Sequence, residues 1–140
     1  MGQAEKLLAS KFIIPGNRAE QILTDIANWG SVTTIILQIG SVFEFKGPFP
    51  KGTSGFGYYN LAGPIPGFHG HLKLDEIDHI AFQEKPHRGR ESYALVFNTN
   101  EAESILKIFL GRDEAGELIT SQKSRYNDLK KTSIEVKNEK

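Results

Sequence analysis

An α+β fold, built as a large antiparallel sheet with flanking N- and C-terminal helices, is what this sequence predicts. Three observations carry the prediction. Short alternating or β-branched runs follow one another from Val32 to Leu110. Their connections are turns rich in glycine, asparagine and proline, shorter than the dozen or so residues that a parallel crossover needs. Helical spacing occurs near the two ends, which puts helices on a sheet rather than between its strands.

The elements follow in order. Residues 1–16 form a short, weakly helical lead-in closed by Pro15-Gly16. Asn17 stands as an N-cap with Glu20 three residues later, the spacing of a capping box. Ile22, Leu23, Ile26 and Trp29 then recur at helical intervals, and Gly30 sits where a C′ glycine stops a helix. Val32–Ile39 is rich in β-branched residues and apolar across Ile35, Ile36 and Leu37, the pattern of a strand covered on both faces. After Gly40-Ser41, Phe43 and Phe45 alternate with Glu44 and Lys46, a half-exposed strand. Gly47–Phe56 holds two prolines and three glycines and reads as a loop. Tyr58–Leu61 is a short strand and Gly63–Gly67 a stiff turn. His71–Phe82 is extended, broken near Glu76-Ile77.

A charged loop covers Lys85–Arg90, then Tyr93, Leu95 and Phe97 alternate with Ala94 and Val96. Asn98-Thr99-Asn100 turns the chain into a strand at Ser104–Leu110. Asp113 caps a last helix that points Leu118, Ile119, Tyr126 and Leu129 inward. The division is a lead-in (1–16), a single domain (17–130) and a polar tail (131–140) that frays.

The 140 residues suit one domain. Seventeen basic side chains balance seventeen acidic ones, which argues against nucleic-acid binding through bulk charge. The absence of cysteine excludes disulfides, iron–sulfur clusters and thiol nucleophiles. The longest apolar run near the start, Phe12–Ile14, is too short for a secretory segment, and no run reaches the 18 or so residues of a membrane span. Met1-Gly2 lacks the Ser or Thr that a myristoylation signal needs, since Lys6 stands there. A cytoplasmic location without membrane attachment is the expectation.

Chemistry-bearing residues concentrate at Gly67–Lys73. In a strand, His69, His71 and Lys73 share one face, with Leu72 and Leu74 on the other. Such a face is a ligand floor or a plain solvated surface, and spacing does not choose between them. Gly63-x5-His69-x-His71-x4-Glu76 is similar to the first metal motif of the cupin family, and His69, His71 and Glu76 suit iron or manganese. That fit ends at Gln83, where the motif wants glycine, and no histidine follows His87 for a second motif. Tyr58 and Tyr59 can ligate ferric iron as phenolates or pack in a sheet. Arg88 and Arg90 flank a glycine in a loop and can pair with carboxylates or with water. No serine stands at a spacing that pairs it with a histidine, and no phosphate loop follows Gly52–Gly57, so no catalytic residue is assigned.

Five stretches in order carry a resemblance over roughly residues 20–130. They are Trp29-Gly-Ser-Val-Thr-Thr34, Phe43-Glu-Phe-Lys-Gly47, Gly57-Tyr-Tyr-Asn-Leu61, Gly70-His-Leu-Lys73 and Leu106-Lys-Ile-Phe-Leu-Gly-Arg-Asp113. Together they resemble the intracellular haem-utilisation proteins of the HutX/ChuX type. The resemblance implies a fold related to one half of the duplicated HemS/ChuS haem-handling proteins, and a homodimer. It implies a cytosolic haem carrier that buffers reversibly bound b-type haem and passes it to a haem-degrading enzyme, with no catalysis of its own. Haem degradation by the chain itself, and a non-haem metal site at His69, His71 and Glu76, are the alternatives.

Under the resemblance, His71 is the candidate ligand of the haem iron. The family's second haem-linked histidine falls where this chain has Leu37, which cannot ligate. His69, Tyr58 or Tyr59 then stands as the other ligand, or the iron is five-coordinate. Lys73, Arg88 and Arg90 are the cations available to the propionates.

Overall fold

The computed structural model describes residues 10–86 and 88–137, and among them ten strands and two α-helices form. In chain order these are β1 (Ser10–Pro15), α1 (Ala19–Ile26), β2 (Ser31–Gln38), β3 (Ser41–Pro48), β4 (Gly52–Gly55), β5 (Tyr58–Leu61) and β6 (Gly70–Lys73). There follow β7 (His79–Glu84), β8 (Tyr93–Asn98), β9 (Ser104–Phe109), α2 (Thr120–Lys131) and β10 (Ile134–Lys137). Short 3-10 turns cover Gly16–Arg18 and Leu74–Glu76.

Seven strands join in the order β10-β1-β7-β8-β9-β2-β3, every pair antiparallel, and β4-β5-β6 make a second, three-stranded sheet. The α+β architecture and the large antiparallel sheet are therefore as expected. Register puts Ile14, Ile80, Phe97, Leu106 and Ile36 in one row across the large sheet. Leu95, Ile108 and Thr34 form the next row on the same face. Both helices and the small sheet cover this face. From α1 come Ala19, Ile22, Leu23 and Ile26, from α2 Tyr126, and from β5 Tyr59 and Leu61, all buried. Phe68 fills the remaining gap, stacked on Phe45 at 4.4 Å and edge-on to Phe49 at 5.7 Å.

Several local expectations are corrected. Residues 10–15 are not weakly helical; they form β1, because β7 and β10 offer ladders on both sides and Ile14 buries against Ile80. The tail does not fray before Lys137, since β10 pairs with β1. Residues 1–9 and 138–140 lie outside the described residues, as does His87. Asn17 is not an N-cap: it sits inside the 3-10 turn, and α1 starts after Arg18 with no side-chain cap. Asp113 caps a tight turn instead of a helix. Its Oδ1 accepts from the Ala115 and Glu117 amides at 2.9 and 3.0 Å, and α2 begins only at Thr120. The loop Gly47–Phe56 contains β4, paired with β5. The expectation that β2 is covered on both faces holds for the Val32–Thr34–Ile36 side only. Ile35 and Leu37 point to the opposite face, which no described element covers, and are half-exposed.

Candidate functional site

The small sheet decides where the candidate residues go. In its ladder Tyr58 stands opposite Lys73, Asn60 opposite His71, and Thr53 opposite Asn60. Directly opposed residues share a face. Tyr58, Asn60, His71 and Lys73 therefore line one side, and Tyr59, Leu61 and Leu72 the other. The second side is the core side. Tyr59 is buried and its hydroxyl lies 3.0 Å from Thr24 Oγ1 of α1. This seating needs a glycine at 52, because a Cβ there would come within 2.7 Å of the Tyr59 ring. The first side faces outward, with Tyr58, His71 and Lys73 all exposed.

Within that face His71 is held. Its Nδ1 lies 2.7 Å from Asn60 Oδ1, and its ring stands edge-on to Tyr58 at 6.1 Å between centroids. Nε2 has no hydrogen-bond partner among the described residues. The other described histidine in a strand differs. His79 Nδ1 lies 2.9 Å from Asp78 Oδ2 and its Nε2 lies 3.3 Å from Asn98 Nδ2, so both its nitrogens are engaged. Lys73 forms no ion pair among the described residues, which leaves its ammonium available to an anionic group.

The expected cluster is brought together in part. His71, Tyr58 and Lys73 share the outward face. Tyr59 is a correction: strand alternation turns it into the core, so of the two tyrosines offered as the other ligand only Tyr58 shares the face of His71. His69 is exposed but precedes β6, which opens at Gly70, so the two-apart rule does not apply to it. No group of three His, Asp or Glu among the described residues is placed to hold a metal ion, so the triad His69, His71 and Glu76 is not assembled. The arginines lie elsewhere. β6 runs into the 3-10 turn beside the start of β7, whereas Arg88 and Arg90 follow the far end of β7, roughly 20 Å away along the strand. Arg90 is engaged there, donating to Gly116 O at 2.7 Å with Glu117 Oε2 at 3.6 Å. Leu37 lies on the uncovered face of the large sheet, not beside His71.

Two residues escaped the sequence reading. Asn60 is one; alternation from Tyr58 puts it on the same face, but its partner eleven residues on becomes visible only with the register of β5 and β6. Phe56 is the other. It is fully exposed in a two-residue turn with Gly57, at φ 57°, where Asn or Gly is the usual choice. A large apolar side chain at such a position is a signal that the sequence does contain.

The family described as "Haem utilisation ChuX/HutX" matches residues 12–129. The chain belongs to this haem-utilisation family. The intracellular heme transport protein HutX of Vibrio cholerae is 48% identical over 117 residues, 84% of this chain and 61% of HutX. The chain thus spans about three-fifths of that relative's length. The heme-binding protein ChuX has the same fold at a TM-score of 0.78 and 32% identity, over 89% of this chain and 77% of ChuX. The heme-degrading enzyme ChuS of Escherichia coli O157:H7 matches at a TM-score of 0.71 and 18% identity, over 83% of this chain and 34% of ChuS. At that identity the likeness to ChuS is one of fold. No helix among the described residues is long and apolar enough to cross a membrane.

Proposed function

We propose that this chain is a cytoplasmic haem carrier that binds b-type haem reversibly through His71 and hands it to a haem-degrading enzyme, without degrading it. The observation that carries the reading is the placement of His71, exposed on an outward sheet face, fixed through Nδ1 and open at Nε2. Membership of a haem-utilisation family and the names of HutX and ChuX supply the ligand class.

The residues present suit haem. An imidazole nitrogen is a ligand for haem iron, which supplies the tight, coloured and displaceable centre of such a complex. Lys73, two residues along the same strand face, suits a propionate. Tyr58 and Phe56 offer apolar surface at the edge of the face. A single protein ligand on an open surface favours release, as a carrier requires.

Dimerisation belongs to the same proposal. The uncovered face of the large sheet carries Ile35, Leu37, Ile105 and Phe109, and Val42, Ile134 and Val136 on that face are 42–56% exposed. A hollow of about 760 Å³ lies at the β2–β3 turn end of the sheet, lined by Leu37, Ile39, Val42 and Ile105 together with polar Gln38, Ser41, Thr99 and Glu103. Exposed apolar surface of this kind marks an interface, and a second copy is the partner that fits a homodimer.

The test of the carrier reading uses haem-loaded protein. The Soret band is expected to persist when a reductant is added, and to drain when an apo haem-degrading enzyme is added. Bleaching by reductant alone, with a biliverdin-like product, would replace the carrier with an enzyme. A Soret band that the acceptor enzyme leaves unchanged would remove delivery from the account.

A further inference from the structure

We infer that Asn60 is a positioning residue that locks the neutral His71 ring in its Nδ1–H form and thereby presents a bare Nε2 lone pair to the outward face. The inference deepens the haem-carrier reading and rests on it for its purpose, though not for its geometry.

The Asn60 amide has a fixed orientation. Its nitrogen lies 3.1 Å from Thr53 O, 3.3 Å from Gly55 O and 3.5 Å from Tyr58 O. All three are backbone carbonyls and can only accept. The amide edge that faces them must be the NH2, because a flipped side chain would set its own oxygen against them. Oδ1 is then fixed on the opposite edge, 2.7 Å from His71 Nδ1. An amide oxygen accepts and never donates, so His71 Nδ1 must carry the proton and donate it. In the neutral ring the lone pair then lies on Nε2.

This is not the form a free histidine side chain prefers; in water the neutral ring favours the proton on Nε2. Left to itself, His71 would spend most of its time with the outward nitrogen capped by hydrogen. Asn60 reverses the preference, as the hydrogen bond on one ring nitrogen commonly sets what the other can ligate. The register puts Asn60 directly opposite His71, so the ring is held across two strands. The carbonyls that orient the amide belong to β4 and to the Gly55–Tyr58 turn. The hairpin carrying Phe56 therefore sets the orientation of the ligand.

The test reads the ring nitrogens of His71 directly, in the ligand-free 140-residue chain, by long-range ¹⁵N–¹H correlation at mildly alkaline pH. The expected result is a protonated Nδ1 and a bare Nε2. A wild-type His71 with its proton on Nε2 would overturn the inference whatever the variants do. In Asn60→Leu the proton is expected to move largely to Nε2, with haemin affinity falling about 10- to 100-fold. Asn60→Asp keeps an acceptor for His71 Nδ1 but sets its other oxygen against the three carbonyls that the NH2 group served, so it is expected to keep the Nδ1–H form in a side chain held less firmly, with haemin affinity between those of the wild type and Asn60→Leu. A Leu variant that retains the wild-type tautomer would also overturn it. Failure of the haem reading looks different: His71→Ala would then bind haemin like wild type, while the tautomer result stood.

Discussion

Thr34 Oγ1 is the only buried side-chain polar atom without a partner among the described residues, on the core side of β2. A buried hydroxyl without a hydrogen bond costs about 1–3 kcal/mol. Thr34→Val keeps the branched shape that suits a strand and removes the unpaired group. It is expected to stabilise the fold by about 1 kcal/mol, read as a higher urea midpoint with an unchanged slope. Phe56 makes the complementary case. Left-handed backbone at a residue with a large side chain costs about 1–2 kcal/mol, and Asn adopts it more readily. Phe56→Asn is therefore expected to raise the melting temperature by a few degrees while weakening haemin binding. A loss of stability would show that Phe56 packs in the free protein. Single-residue features of this kind were partly legible in the sequence. The outward face of His71 and Lys73 follows from alternation, and so does the packing of Tyr59, the role the sequence offered it beside iron ligation. The Asn60–His71 contact was not legible, because nothing local states which residues two strands set opposite each other.

At the scale of elements, α2 is docked by two buried polar side chains as well as by apolar contact. Gln122 is fully buried. Its Oε1 accepts from the Gly111 amide at 2.7 Å, and its Nε2 donates to Trp29 O at 3.0 Å and Ser31 O at 2.8 Å. The one side chain ties α2 to the end of α1, the start of β2 and the exit from β9. Gln122→Leu leaves the Gly111 amide and two carbonyls without these partners, and is expected to cost about 3 kcal/mol by chemical denaturation.

Tyr126, one helical turn along, packs edge-on against Phe82 and Tyr93 and donates to Glu84 Oε2 at 3.2 Å. Burial first, and the Glu84 charge second, push its hydroxyl pKa well above the ordinary tyrosine value. The unfolded chain loses this proton near pH 10 or so, whereas the folded chain keeps it. Stability is therefore full below that pH and falls as the pH rises past it, by up to about 1.4 kcal/mol per unit for one proton. Urea midpoints taken across the alkaline range should fall less steeply in Tyr126→Phe. An unchanged slope would mean that Tyr126 ionises in the fold. α1 was legible from its apolar spacing because Ile22, Leu23 and Ile26 do face the core. β1 and β10 were not, since each is stabilised by a partner more than a hundred residues distant, and segments of six and four residues are too short for their own pattern to reveal that pairing.

For the whole molecule, the two layers serve different purposes. The large sheet has one face filled by the core and one that no described element covers, and the small sheet carries the residues proposed to bind haem on its outer side. Because position 37 lies on the open face and His71 on the small sheet, a ligand at position 37 would not be set beside His71 within one chain. The homodimer proposal predicts a particle of about twice the 15.6 kDa chain mass by light scattering, and a charged residue placed on the open face, as in Ile35→Glu, should shift it to monomer. A monomeric mass for the unaltered chain would contradict the dimer. Haem bound to the folded form alone should also raise its unfolding free energy, by about 2.7 kcal/mol at a free concentration one hundred times the dissociation constant. The most direct measurement of His71 as the haem ligand is the haemin dissociation constant of the wild type beside His71→Ala and His69→Ala, followed at the Soret band. Affinity is expected to be at least tenfold weaker for His71→Ala and unchanged for His69→Ala; equal affinity in wild type and His71→Ala would remove His71 from the iron.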